Sequence, residues 1–343
     1  AQTKSKVQTS QKGLQRSMRG IATLLSLVLL SSISSTYANP LKVLQRISDS
    51  LQSKPRSREE LKLGIAGFYD RSSKLWEEVW GEHMHHGYYV PANRTDHKQA
   101  QVDLIDEVLK WAGVEESGSR RPTKVVDVGC GIGGSSRHIA RKYGATANGV
   151  TLSPYQAMRG NQLAQQQGLA DRASFQVADA LDMPFPSSSF DLVWSLESGE
   201  HMPDKKRFVD ELFRVSMPNG RIIIVTWCHR DLSPNETSLT KKELNLLNKI
   251  NRAYYLPEWC SVGDYVKILE EKGATDVKTE DWSWVIAPFW KAVIVSSLRP
   301  GSIWGLLKSG FSTQRGAYAM LLMLRGFDMG LIKFGLITCT KPK

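Results

Sequence analysis

The chain has 343 residues, a formal net charge of +11 and an apolar fraction of 41%, which is ordinary for a globular protein. That length suffices for one large domain or two small ones. Residues 1–58 carry +9 of the charge and the remainder only +2, without a basic stripe that would suggest nucleic-acid binding. The four cysteines are scattered and lack a C-x-x-C spacing, which argues against a disulfide framework or a zinc site.

Residues 1–58 are predicted to be a targeting segment followed by a linker. A basic, Ser-rich front precedes 13 mainly apolar residues, 21–33, and a small-residue end at Ala38. The apolar run is short for a transmembrane helix, and this order of basic, apolar and small residues is typical of targeting segments. An organellar transit peptide, a secretory or thylakoid-type signal and a membrane anchor all stay open at this point.

Residues 59–343 are predicted to form the folded domain, which begins with a helical cap over residues 59–121. Residues 61–70 have a helical pattern, and the spacing of apolar residues predicts a second helix over 99–111. Between them lies a turn with three histidines, His83, His85 and His86. Because the matching Cys or Asp spacing is missing, a metal site is not predicted there.

Strands and helices then alternate, which predicts a mostly parallel sheet with helices on both faces. The predicted strands are Lys124–Val128, Ala147–Leu152, Ala173–Val177, Asp191–Leu196, Arg221–Trp227, Val277–Trp284 and Leu331–Thr340. Helices are predicted between them, including one from Pro154 to about Gln167 and one over Val262–Glu271. The stretch 287–330, rich in Trp and Gly, is predicted to be a lid with an apolar face that rests on a membrane, or an ordinary amphipathic helix pair. A greasy substrate pocket, or else ordinary core packing, is expected for Trp76, Trp80, Trp282, Trp284, Trp290 and Trp304.

The glycines after the first strand indicate a ligand site. Gly129, Gly131, Gly133 and Gly134 follow the apolar run, with Asp127 just before them and Cys130 among them. That order predicts a strand, a tight turn and a helix N-terminus, which suits a polar ligand. The spacing fits both the dinucleotide fingerprint and the D-x-G-x-G turn that holds S-adenosylmethionine (SAM) in class I methyltransferases.

The end of the second strand distinguishes these two cofactors. A dinucleotide enzyme needs an acid there for the ribose hydroxyl, but the chain has Val150, Thr151 and Leu152. This counts against NAD. The hydroxyl of Thr151 is expected to replace the acid that commonly holds the SAM ribose, and Gln156, in the first turn of the next helix, to reach the amino-acid end of SAM.

The ends of the third and fourth strands supply further polar groups at the same sheet edge. Asp179 is expected to accept from the adenine amine, and Ala180 leaves room for the ring. The segment Ser195–His201 follows the fourth strand and carries two glutamates and a histidine. Since ligands bind at the carboxyl edge of such sheets, these side chains are acid–base candidates.

These motifs resemble those of the tocopherol C-methyltransferases of plants and algae. The resemblance covers about residues 60–343 and includes the segments 75–87, 126–136, 151–154, 191–205, 225–230, 254–257 and 287–290. It implies a Rossmann-like sheet of seven strands, with an antiparallel last strand inserted beside the fifth. It also implies SAM as cofactor, a plastid location and a prenylated phenol as substrate, with γ- and δ-tocopherol converted to α- and β-tocopherol in vitamin E biosynthesis.

The resemblance further implies roles for individual residues. His86 lies in a turn that closes over SAM, and the cofactor site also includes Ser195. Residues 122–230 form the SAM-binding core, and 231–343 form the substrate lid and last strands. In related cyclopropane-fatty-acid synthases, the position matching Glu200 lies by the transferring methyl.

Methyl transfer to an aromatic carbon adds a chemical requirement. Ionising the ring hydroxyl raises the nucleophilicity of the ortho carbon, so a general base is needed near the methyl group. Glu200 is the first candidate and His201 the second. Two alternatives remain: a SAM-dependent N-methyltransferase of an indole alkaloid, and an NAD-linked oxidoreductase or catalytically silent nucleotide-binding module.

Overall fold

A computed structural model of the chain describes residues 56–118, 120–297 and 311–343. Most of the predicted targeting segment, residues 1–55, lies outside the described residues. So does the middle of the predicted lid, residues 298–310.

The described residues form helices around a single sheet. The helices are α1 (Arg58–Trp80), α2 (His97–Trp111), α3 (Gly134–Tyr143), α4 (Pro154–Gln166), α5 (Lys205–Val215), α6 (Lys241–Tyr254), α7 (Val262–Glu271), α8 (Ser283–Ser297) and α9 (Phe311–Asp328). The strands are β1 (Lys124–Val128), β2 (Thr146–Thr151), β3 (Ala173–Val177), β4 (Phe190–Leu196), β5 (Ser216–His229), β6 (Thr275–Asp281) and β7 (Ile332–Thr340).

The sheet has seven strands in the order β3-β2-β1-β4-β5-β7-β6. Strands β1 to β5 run parallel, while β7 is antiparallel to both β5 and β6. This confirms the predicted mostly parallel sheet and the position of the last strand beside the fifth. The carboxyl ends of β1 to β5 therefore meet at one edge, where ligands bind in such folds.

The fifth and sixth predicted strands differ most from the observed ones at their ends. The fifth begins earlier, at Ser216, and the sixth stops at Asp281 instead of continuing to Trp284. The reason for the second difference is local: the side chain of Asp281 accepts a hydrogen bond from the backbone N–H of Ser283 at 3.0 Å, where α8 begins. Such a bond stabilises a helix start and stops the extended backbone.

Helix α1 is tied to α4 along its length. Glu77 accepts three hydrogen bonds from Arg159, the shortest of 2.6 Å, and Ser153 donates to Asp70. Ser73 accepts from Gln156 at 3.1 Å. These contacts hold α1 across the carboxyl edge of the sheet. Within the described ranges, no helix combines the length and apolarity that crossing a bilayer requires.

Candidate active site

Two adjoining cavities at the ends of β1, β2 and β3 contain most of the predicted cofactor residues. The first, of about 90 Å³, is lined by Asp127, Gly129, Cys130, Gly131, Gly134, Thr151, Leu152 and Gln156 among others. The second, of about 50 Å³, is lined by Asp179 and Ala180. Gly129, Thr151 and Leu152 line both cavities. We call the two together the cofactor cleft, and Ile65 of α1 covers both.

The loop after β1 needs glycine for backbone and for steric reasons. Gly129 and Gly133 have φ values of +82° and +80°, a region that other residues rarely adopt. A Cβ on Gly129 would lie 2.2 Å from Cβ of Ser198, and one on Gly133 would lie 2.2 Å from the ring of Phe175. These two glycines therefore allow the loop to pack against the protein's own side chains.

Asp127 is a buried carboxyl group at the bottom of the cofactor cleft. Its Oδ2 accepts a hydrogen bond from the Ser136 hydroxyl at 2.6 Å. Burial raises the pKa of Asp127 to about 7, against the opposing effect of the Ser136 hydrogen bonds. A cationic ligand group next to this carboxyl would lower that pKa again, so the position suits the ammonium of an amino-acid ligand.

Thr151 and Gln156 form one hydrogen-bonded unit beside Asp127. The Thr151 hydroxyl donates to Oε1 of Gln156 at 2.7 Å. Since Gln156 also donates to Ser73 of α1, this unit connects the end of β2 to the covering helix. Both residues line the cleft, and each already has a protein partner.

Asp179 is also partnered by the covering helix. Its Oδ2 accepts from Arg58 at 3.0 Å and lies 3.3 Å from Nζ of Lys62. Its Oδ1 accepts from the backbone N–H of Leu181 at 3.0 Å. Burial would raise the pKa of Asp179, but these partners outweigh burial and lower it. The predicted adenine contact would therefore share this carboxylate with α1.

Three predicted cofactor residues do not line the cofactor cleft. Gly133 packs on Phe175, as described. Ser195 is fully buried, and its hydroxyl is 2.7 Å from that of Ser198, which donates to the carbonyl of Val128 at 2.6 Å. Ser195 thus supports the loop from behind. His86 lies in a neighbouring cavity instead.

That neighbouring cavity is larger and mostly aromatic. It has a volume of about 340 Å³ and is lined by Tyr69, Trp76, Trp80, Met84, His86, Glu197, Glu200, His201, Trp227, Tyr254, Leu256, Trp259, Phe289, Trp290, Met320 and Met323. Tyr69, Met84, Glu197 and His201 line the cofactor cleft as well. We call this space the aromatic cavity, and the shared residues form its junction with the cleft.

Glu200 lies in the single helical turn after β4 and is 4% exposed. The hydroxyl of Thr226 donates to its Oε2 at 2.7 Å. Burial and the nearby charge of Glu197 raise the pKa of Glu200 to about 7. A carboxyl group with such a pKa is matched to accepting a proton near neutral pH. Lys205 holds the turn by donating to its backbone carbonyls, including that of Gly199 at 2.9 Å.

His201 stands at the junction itself. Its Nε2 is 3.0 Å from the Tyr69 hydroxyl, and its Nδ1 is buried without a hydrogen-bond partner among the described residues. Burial and the charge of Lys205 lower the pKa of His201 to about 4. The imidazole is therefore neutral near pH 7 and is a weak base.

Glu197 connects the histidine-containing turn to the end of β4. It accepts from the backbone N–H of His86 and pairs with Nδ1 of the same residue, both at 2.7 Å. Nε1 of Trp227 donates to it at 3.4 Å. Burial would raise the pKa of Glu197, but His86 outweighs burial and the pKa is lowered. The carboxylate is therefore ionised at neutral pH, at the junction of cleft and cavity.

The aromatic cavity was predicted only in part. Of the tryptophans expected in a greasy pocket, Trp76, Trp80 and Trp290 line it, whereas Trp282 and Trp284 do not, and Trp304 lies outside the described residues. Tyr69, Trp227 and Trp259 also line the cavity and were not predicted from the sequence. A signal for Tyr69 exists, because Tyr69, Trp76 and Trp80 recur at helical spacing on one face of α1.

The three histidines of the turn do not converge on a metal position. The rings of His83 and His85 are 5.3 Å apart in an edge-on arrangement. Over the described ranges, no group of three or more His, Cys, Asp or Glu side chains could hold a metal ion.

Comparison with known proteins identifies the family. A protein-family model described as a methyltransferase domain matches residues 126–224. A probable chloroplastic tocopherol O-methyltransferase of Oryza sativa subsp. japonica is 59% identical, over 82% of this chain and 79% of that protein. The chloroplastic tocopherol O-methyltransferase of Arabidopsis thaliana is 56% identical, over 83% of this chain and 84% of that protein.

The chain belongs to the tocopherol methyltransferase family. It is therefore a SAM-dependent methyltransferase of class I. An ajmaline N-methyltransferase of Rauvolfia serpentina is a more distant relative, 38% identical over 81% of this chain and 97% of that protein.

Solved structures share the fold at lower identity. A putative sarcosine dimethylglycine methyltransferase from Galdieria sulphuraria is 24% identical with a TM-score of 0.64, covering 80% of this chain and 98% of that chain. A geranyl diphosphate methyltransferase in complex with SAM is 21% identical with a TM-score of 0.59, covering 76% of this chain and 98% of that chain. Both have the architecture described above for this member of the tocopherol methyltransferase family.

Proposed function

We propose that this chain transfers the methyl group of SAM to a ring carbon of γ- and δ-tocopherol, giving α- and β-tocopherol. The observation that carries the proposal is the junction: an aromatic cavity meets the cofactor cleft at Glu197, His201 and Tyr69, with Glu200 next to them. A lipophilic phenol fits such a cavity, which is apolar over most of its surface and has titratable groups at one end. The names of the relatives from rice and Arabidopsis give tocopherol as their substrate.

The methyl donor would occupy the cofactor cleft. Asp127 and the loop from Gly129 to Gly134 would hold its amino-acid end, Thr151 and Gln156 its ribose and neighbouring groups, and Asp179 with Ala180 its adenine. The sulfonium would then face the junction. Methyl transfer is an in-line displacement in which charge is lost, so the protein contributes alignment and exclusion of water.

Glu200 is proposed to take the proton of the phenol, and His201 is the second candidate. Two observations support this order. Glu200 has a pKa of about 7, whereas the pKa of His201 is lowered to about 4. The resulting phenolate is nucleophilic at both its oxygen and its ortho carbon. The relatives' names specify O-methyltransferases, so the acceptor atom must be tested directly.

A product assay tests the proposal. The protein would be incubated with radiolabelled SAM and, separately, γ-tocopherol, δ-tocopherol, a methylquinol and an indoline alkaloid, and the products identified by mass spectrometry and NMR. Ring-methylated tocopherols are expected. A phenol methyl ether as product would show that the acceptor atom is the phenol oxygen. A product from the alkaloid alone would favour the N-methyltransferase alternative, which the Rauvolfia relative represents.

We also infer a plastid location, because the relatives from rice and Arabidopsis are named chloroplastic. Contact with the envelope or thylakoid membrane through the stretch 287–330 is a finer proposal. Co-sedimentation with lipid vesicles, with and without tocopherol, tests it. A protein that stays in the supernatant in both cases would contradict the membrane contact while leaving the chemistry unaffected.

A further inference from the structure

Methylation of an aromatic carbon requires two proton removals, and the second has no assigned base. This point rests on the function proposed above. The phenol loses its proton before the ring attacks the methyl group. After the attack, the acceptor carbon carries both the new methyl and its original hydrogen, and the ring is a dienone. Aromaticity returns when that hydrogen leaves as a proton.

Glu200 is poorly placed to perform both removals. It is buried, and its Oε2 is already engaged by the hydroxyl of Thr226. Once it has taken the phenol proton, it cannot accept a second proton until the first has left. The second proton therefore needs a different acceptor on the aromatic cavity.

His86 has the geometry of that acceptor. It lines the aromatic cavity and not the cofactor cleft. Its Nδ1 is 2.7 Å from Oε2 of Glu197, and because a carboxylate only accepts hydrogen bonds, Nδ1 must carry the hydrogen. In the neutral ring this leaves the lone pair on Nε2. Nε2 is buried and has no hydrogen-bond partner among the described residues.

The position of the imidazole is also tightly determined. Its ring centroid lies 4.5 Å from that of Phe289, 5.1 Å from that of Trp227 and 5.2 Å from that of Trp290. Glu197 additionally binds the backbone N–H of His86 at 2.7 Å. A base held by packing and by a carboxylate in this way is preorganised for one proton transfer.

His201 is the other histidine on the cavity, and it lacks this support. Its Nε2 contacts the hydroxyl of Tyr69, which is a neutral partner and cannot stabilise an imidazolium as a carboxylate does. The nearby charge of Lys205 disfavours its protonation. Of the two histidines, His86 is therefore the one whose ring is hydrogen-bonded to a carboxylate.

We propose that His86, oriented by Glu197, removes the proton from the methylated ring carbon. The C–H bond breaks, its electron pair returns to the ring, and the proton moves to Nε2 of His86. The resulting imidazolium is paired with the carboxylate of Glu197. The dienone oxygen regains its proton from Glu200, so one proton is released per methyl group and no oxidant or reductant takes part.

A deuterium isotope effect distinguishes this catalytic role from a structural one. The substrate is γ-tocopherol carrying deuterium at the acceptor ring carbon. In His86→Gln we expect kcat to fall by about 10²–10⁴-fold, the usual loss on removing a general base. The deuterated substrate should then react more slowly than the protiated one, by a larger ratio than in the wild type, because C–H cleavage becomes rate-limiting. Glu197→Gln should likewise lower kcat and raise the isotope ratio, because it removes the carboxylate that orients His86.

The matched control is His138→Gln. His138 also pairs with a carboxylate, Asp106, at 2.8 Å, but it lines neither the cofactor cleft nor the aromatic cavity. It should leave kcat and the isotope ratio unchanged. Near-UV circular dichroism and calorimetry with S-adenosylhomocysteine (SAH) check that each variant is folded.

Two results would overturn the proposal, and a third would refute the proposed function. A slow His86→Gln with the isotope ratio of the wild type would overturn the proposal and leave His86 a packing role. If His86→Gln does not fold, Glu197→Gln decides, and an unchanged ratio in that variant overturns the proposal. A wild-type product with its methyl on oxygen and its ring deuterium retained would instead refute the proposed function itself.

Discussion

The cofactor cleft and the aromatic cavity are neighbours that the chain builds in opposite ways. The cleft takes its predicted cofactor residues from consecutive strand ends, at Asp127 to Gly134, at Thr151 and at Asp179, and α1 with the turn after it supplies the cover. The cavity combines residues as distant as Tyr69 and Met323, from helices at both ends of the described chain. A local pattern therefore specifies the cleft, whereas only the completed fold creates the cavity. Chemistry is proposed where the two meet.

The largest expected effect tests the cavity side of that junction. Glu200→Gln should lower kcat by about 10²–10⁴-fold, because it removes the proposed base. Binding of SAH, measured by calorimetry, should stay close to that of the wild type, since Glu200 does not line the cleft. Glu271→Gln, an exposed ion-pair partner of Lys206, is the control. A fall in kcat of less than about tenfold would contradict the assignment.

The same residue predicts a pH profile. Only ionised Glu200 can accept the phenol proton, so kcat/KM, which reports the free enzyme, should fall as the pH drops below about 7, the raised pKa of this group. Steady-state rates at substrate concentrations well below KM, measured across the neutral range, check this. A profile that stays flat down to the ordinary pKa range of a carboxyl group would contradict Glu200 as the base.

The free energy of unfolding should depend on pH because Glu200 is buried in the aromatic cavity. Its pKa is raised in the folded state from an ordinary 4.5 to about 7, so between these values the folded protein binds more protons than the unfolded chain. Glu200 should therefore contribute a fall of about 3 kcal/mol in the free energy of unfolding as the pH rises through this window. Glu200→Gln should lose this contribution, while the contribution of Asp127, whose pKa is also raised to about 7, should remain. Denaturant unfolding at about pH 5 and about pH 8 measures it, and parallel curves for the two proteins would contradict the prediction.

Two glycine variants should distinguish an effect on the stability of the fold from an effect on SAH binding in the cofactor cleft. Gly133→Ala should destabilise the fold by about 1–3 kcal/mol, through its positive φ and the clash with Phe175. Gly131 also has a positive φ, of +55°, but in Gly131→Ala the nearest atom, Sδ of Met84, would be 3.4 Å away, so without a clash the loss of stability should be smaller. Because Gly131 lines the cleft, its variant should mainly weaken SAH binding. Thermal unfolding and calorimetry compare them, and equal losses of stability would contradict this distinction.

The smallest expected effect concerns adenine. Asp179→Asn should weaken SAH binding by about 1–2 kcal/mol, through the loss of a charged acceptor, and leave the KM of the phenol unchanged. Asp182→Asn is a matched control in the same turn, because Asp182 is largely exposed and does not line the cleft. Unchanged SAH binding in Asp179→Asn would leave Asp179 as only the partner of Arg58 and Lys62.

The sequence predicted the sheet and most of the cleft for identifiable reasons. Apolar runs bounded by glycine or proline marked the strands, and polar residues directly after parallel strands had to meet at one edge. Residues whose side-chain direction depends on the alternation along a strand, or whose environment depends on tertiary contacts, were harder to place. Ser195 lies behind the loop it was expected to serve, and Gly133 faces Phe175. The location of His86 was not predictable, because it depends on the long-range pairing with Glu197.

The strand order also has a consequence for the timing of folding. β7 lies between β5 and β6 and pairs with β5 at every position from Arg221 to His229. During synthesis, β6 has no neighbour in this sheet until residues 332–340 have left the ribosome, and the apolar edge of β5 stays unpaired for the same interval. Unpaired apolar edges of this kind promote aggregation of nascent chains. Yield in the cell should therefore depend on how long that edge stays exposed as well as on the stability of the finished protein.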